Sequence, residues 1–92
     1  MTLAELQTIL DRGEVAPVPA RAWSRLAAEF QETESHDTGL KGKLRLGTLA
    51  GRLVAVEEPD RTVRAVRGFR TRKAAADFVR ARLEAYDRIW DG

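Results

Sequence analysis

The 92-residue chain contains no cysteine, so no disulfide can staple the fold and no thiolate can hold zinc, carry redox chemistry or attack a substrate. Aromatic residues amount to only 7% and prolines to three, and the two tryptophans, Trp23 and Trp90, sit on apolar faces that suit a core or interface better than base stacking. Long apolar runs are missing as well, and nothing approaches the ~20 residues that a membrane-spanning helix needs. The first ten residues lack a basic leader, and Glu5 and Asp11 interrupt and bound their short apolar stretch, which argues against a signal peptide. These absences predict a soluble, cytoplasmic domain with no membrane partner. What the chain does have is 43% hydrophobic and 33% charged residues, a composition that supports a globular core. A domain of this size buries only about 60–65% of the surface its unfolded chain exposes, so packing must carry its stability, with oligomerisation as an optional further support.

Periodicity and punctuation divide the chain. Thr2 and Glu5 form a capping box, Leu3, Leu6, Ile9 and Leu10 share one helical face, and Gly13 fits a helix stop. This predicts a helix over 3–12 within an N-terminal unit, 1–13. Pro17 and Pro19 remove backbone donors and favour extended neighbours, predicting a semi-extended linker over 14–19. The remaining residues, 20–92, are expected to form a single α+β domain. Its first helix starts near Pro19 or Ala20 and is carried by Trp23, Leu26, Ala27 and Phe30, with the polar run 33–39 ending the pattern. The period then changes to two. Residues 43–49 alternate, Ala50 and Gly51 suit a tight turn, 53–56 is apolar and branched, Pro59 and Asp60 suit a type I turn, and 62–69 pairs back as a third strand. Thr71 caps a long amphipathic helix through Trp90. The expected order is α-α-β-β-β-α: a three-stranded antiparallel meander with helices packed on one face, burying Trp23, Phe30, Phe78, Leu83 and Tyr86 together.

Charge is distributed unevenly. Residues 1–37 hold three basic against seven acidic side chains, whereas 38–92 hold thirteen against seven. Between Arg61 and Arg82 eight cations face a single acid, Asp77. A helix N-terminus already carries about +0.5 of a charge, so Arg72 and Lys73 in the first turn cost roughly 0.3–1 kcal/mol each unless something negative compensates. An external phosphate resolves that conflict, using free N–H groups, the Thr71 hydroxyl, Arg70, Arg72 and Lys73. Arg61, Arg64 and Arg67 on the preceding strand would extend the patch along a series of phosphates. Against this stands the ordinary alternative that clustered arginines form a solvated surface.

The run from Val63 to Phe78, with its Gly68-Phe69-Arg70-Thr71 corner followed by alanines and an aromatic, resembles the strand-to-helix corner of the arm-type DNA-binding domains of tyrosine recombinases. That resemblance implies a three-stranded sheet packed on one helix and laid into the major groove. Arg72-Lys73-Ala74-Ala75-Ala76 is also similar to the basic start of the last helix in double-stranded RNA-binding domains, which implies an α-β-β-β-α order and phosphate contacts from that turn. The first hairpin here closes through Ala50-Gly51, where the RNA-binding family has a longer, His-containing loop.

Catalytic arrangements find little support. Ser35, His36 and Asp37 have the residue types of a hydrolase triad, but consecutive residues cannot form its relay. Glu57, Glu58 and Asp60 lack the further ligands a metal requires. The sequence therefore predicts a non-enzymatic domain, without cofactor or metal, that binds DNA or RNA through phosphate contacts. The alternative is a protein-interaction or homo-oligomerisation module using the apolar face of the N-terminal helix.

Overall fold

The computed structural model describes residues 1–39, 42–59 and 63–91. Helix α1 (Leu3–Asp11) begins where expected, the Thr2 hydroxyl accepting from the Glu5 N–H at 3.2 Å. It ends in a Schellman motif. Gly13, at φ +74°, donates to the Leu10 carbonyl at 3.0 Å, and Glu14 donates to the Ile9 carbonyl at 3.4 Å. The chain continues as strand β1 (Ala16–Pro19), helix α2 (Ala20–Leu26), a 3₁₀ turn (Ala27–Glu29), then strands β2 (Phe30–Gly39), β3 (Gly42–Leu49), β4 (Arg52–Glu58) and β5 (Val63–Gly68), and helix α3 (Arg72–Asp91).

The expected three-stranded meander is thus replaced by a five-stranded antiparallel sheet in the order β1-β5-β4-β3-β2. Both additional strands come from stretches whose sequence disguises them. The Pro-containing segment 14–19 supplies β1, in which Ala16 and Val18 point into the core and pair with Val66 and Arg64 of β5. An edge strand tolerates Pro17 and Pro19 because their missing donors face away from the ladder. Phe30 keeps helical spacing with Trp23, and their rings meet edge-on at 5.6 Å, but α2 has already ended and Phe30 opens β2. Four strands, not three, therefore lie between α2 and α3. Strand β2 has almost no apolar alternation to announce it, and its pairing with β3 holds it in place. A Cβ on Gly47 would lie 2.2 Å from the Gln31 carbonyl oxygen, so only glycine lets the two strands approach beside the bulge at Thr33.

The helices do not share a face. On one side of the sheet α1 and α2 enclose Leu6, Leu10, Val18, Trp23, Val54 and Val66; on the other α3 covers Leu44, Leu46, Ala55, Ala75 and Val79. Trp23 and Phe30 accordingly lie in the first core, while Phe78 and Leu83 pack against the second. The expected joint cluster is divided by the sheet because β4 alternates, Val54 and Val56 facing one way and Leu53 and Ala55 the other. The turn joining β3 to β4 has Ala50 at φ +49° and Gly51 at φ +83°, the signs of a two-residue type I′ hairpin.

Candidate functional site

The corner between β5 and α3 is built as the sequence suggests. Phe69 donates its N–H to the Leu53 carbonyl at 2.9 Å and packs its ring on Phe78 at 5.4 Å, anchoring the chain as it leaves the sheet. Thr71 then caps α3, its hydroxyl accepting from the Ala74 N–H at 3.1 Å.

The expected row of arginines is split. Side chains three apart in a strand point to opposite faces, so Arg64 and Arg67 cannot line a common surface. Arg64 lies on the α1/α2 side, 3.4 Å from Glu58, which Arg45 also approaches at 3.9 Å. Arg67 lies on the α3 side, 3.7 Å from Glu57, with its guanidinium 5.0 Å from the centre of the Phe78 ring. Both are committed to carboxylates of their own chain. Arg61 and Asp60 fall outside the described residues, as does the side chain of Trp90.

Glu57 is the centre of the strongest polar cluster. It is only 4% exposed, and Arg82 grips its carboxylate through Nε and Nη2 at 2.8–3.1 Å while Tyr86 donates its hydroxyl proton to it. A buried carboxylate needs such partners, since an unpaired one would be expelled or protonated. The bond to Glu57 raises the Arg82 pKa further above its ordinary value. Burial first, and the neighbouring Glu57 carboxylate second, push the Tyr86 phenol from 10.0 to about 12. The cluster fastens α3 to β4, and Arg82 and Tyr86 occupy both oxygens of the Glu57 carboxylate.

What stays open is the corner itself. Arg70 and Arg72 are exposed and carry no ion pair among the described residues. Lys73 is paired with Asp77 at 3.0 Å but its side chain remains 87% exposed, and such surface pairs contribute only about 0–1 kcal/mol. The hydrogen bond from Lys73 lowers the Asp77 pKa. Arg70 and Arg72 border different clefts. Arg72 borders a groove of about 530 Å³ floored by Leu46, Leu53 and Ala75 and flanked by Thr33 and Glu34. Arg70 borders a smaller cleft of about 200 Å³ beside the end of α1, where Arg52 is held by Asp11.

The remaining candidates are dispersed by the fold. Ser35 and His36 occupy successive positions of β2 and face opposite sides, and His36 instead approaches Glu34 at 3.2 Å. Among the described residues no three His, Asp or Glu side chains gather as a metal would require, and no helix is long and apolar enough to cross a membrane. The apolar side chains of α1 are consumed internally, with Leu6 and Leu10 buried and Leu3 and Ile9 packed against the same core. Compared with known proteins, the chain matches no family model, no curated protein and no solved structure.

Sequence reasoning missed Arg52 and weighed Glu57 and Glu58 only as metal ligands, not as anchors for arginines. The partners of Arg52 and Glu57 lie far off in the chain, 41 residues for Arg52 and Asp11 and 25 for Arg82 and Glu57, whereas Glu58 meets Arg64 across the β4–β5 pair. The parity of positions 64 and 67, by contrast, was a readable sign that their side chains part.

Proposed function

We propose that the chain is a non-enzymatic domain that binds nucleic acid through its phosphates at the β5–α3 corner, using Arg70, Thr71, Arg72 and Lys73. The observation that carries this reading is a pair of exposed arginines, Arg70 and Arg72, that have no carboxylate partner among the described residues and flank the cap of a helix N-terminus, where the macrodipole adds its own positive charge. Their separate clefts favour a chain of phosphates over a lone anion. One phosphate cannot satisfy side chains that border separate clefts, whereas a backbone crossing the corner meets them in turn. Arg64 and Arg67 are left out of the interface because Glu58 and Glu57 already hold them.

The test is a titration of labelled DNA and RNA duplexes at two ionic strengths. Three phosphate contacts predict a log–log salt slope of about −3 for DNA, at roughly −0.9 per phosphate. Replacing Arg70, Arg72 and Lys73 together by alanine should abolish most of that slope, while Arg64→Ala should leave it unchanged. Unaltered affinity in the triple variant would refute the site.

A further inference from the structure

The two margins of the sheet are built differently. Strand β1 is four residues long and two of them, Pro17 and Pro19, have no N–H to offer. Strand β2 is ten residues long, contains no proline, and is the last strand of the sheet on its side among the described residues. Residues 31–35 and 37 are exposed, and a bulge at Thr33 separates them into two parts. From Glu34 to Asp37 the register with β3 is unbroken: Glu34 opposes Leu46, Ser35 opposes Arg45, His36 opposes Leu44 and Asp37 opposes Lys43. A regular edge of this kind presents unpaired backbone groups to an incoming strand.

We infer that the outer edge of β2 at residues 34–37 accepts an extended, lysine- or arginine-rich segment of another protein as a sixth, added strand. Charge selects the occupant. Strand β2 carries Glu32, Glu34 and Asp37 with no lysine or arginine. Glu32 is approached by Arg45 at 3.5 Å, whereas among the described residues the one ion pair of Glu34 is with His36, Arg72 bordering the same groove without pairing to it, and Asp37 has none. A second copy of this chain placed edge to edge would bring acidic strand against acidic strand, and like charges facing across a ladder are destabilising. The prolines of β1 prevent a copy from docking by its other margin. A basic strand meets neither obstacle. It gains main-chain hydrogen bonds along the edge and cross-strand attraction from carboxylates on both faces, since Glu34 and Asp37 lie an odd number of residues apart.

The probe is a blocked octapeptide of alternating lysine and threonine, added to the full chain and followed by amide-resolved NMR. Shift changes centred on residues 34–37, with slowed hydrogen exchange there, are expected. The same peptide N-methylated at alternate residues should lose most of its affinity, because it keeps the charge but cannot complete the ladder. The exposed double variant E34K/D37K should weaken binding by on the order of tenfold or more, and should gain affinity for the glutamate–threonine counterpart. Equal binding of the N-methylated peptide, unchanged affinity in E34K/D37K, or shifts mapping elsewhere would each overturn the inference. So would a β2-mediated dimer of the unliganded chain in light scattering. No nucleic acid enters the experiment, so its result is independent of the phosphate-binding proposal.

Discussion

A single torsion angle sets one stability limit. Ala50 sits at φ +49° in the β3–β4 turn, a region that costs an ordinary side chain about 1–2 kcal/mol and that asparagine tolerates better. Ala50→Asn should raise the unfolding free energy by about 0.5–1 kcal/mol in a urea titration with no change in its slope. Tyr86 sets a second limit. It is the only tyrosine in the chain, so tyrosinate absorbance reads it alone. Half-titration near 12 is expected in the folded protein against 10.0 for a free phenol. A group that binds its proton more tightly when folded supports the fold fully below its unfolded pKa and loses that support as pH rises through its folded one. Stability should therefore fall as pH climbs from 10.0 toward 12, and in Tyr86→Phe urea unfolding at neutral and strongly alkaline pH should differ less. The variant should also be about 1–2 kcal/mol less stable at neutral pH, through loss of a hydrogen bond to a charged acceptor.

Among the elements, legibility followed local chemistry. The capping box and Schellman end of α1, the Ala50-Gly51 hairpin and the Thr71 cap each lie within a few residues of sequence, and all are readable there. Strands β1 and β2 are not, because what defines them is a distant partner: β5 for the one and β3 for the other. Neither shows the alternation that marks a half-buried strand, β1 for want of length and β2 for want of apolar residues. The candidate site divides in the same way. Its local part, Arg70 to Lys73 around the cap, stands where the residues imply, whereas the carboxylates that withdraw Arg64 and Arg67 reach them through sheet pairing. A charge count along the chain overlooks this, because positive residues clustered in sequence are neutralised one by one in space.

At the scale of the whole molecule, two cores on opposite faces make stability depend on both ends of the chain. Helix α1 contributes Leu6, fully buried, and Leu10 to the first core. Truncation of one buried leucine costs about 2–5 kcal/mol, and removal of the helix takes away two and bares the sheet, against a typical total of about 5–15 kcal/mol. Deletion of residues 1–13 is accordingly expected to abolish cooperative thermal unfolding by circular dichroism. A deletion variant melting at the parent midpoint would show instead that this helix is dispensable.

The asymmetry of the sheet margins also bears on solubility. Unlimited fibre growth requires a head-to-tail contact in which one flank of each molecule receives the opposite flank of the next. Here the donor flank would be the proline-bearing β1, which lacks the hydrogens for such a bond at every second position. The contact left between copies is β2 against β2, which closes on itself after two and which the facing carboxylates of that strand oppose. The fold can thus keep one receptive border exposed at high concentration without becoming the seed of its own polymer.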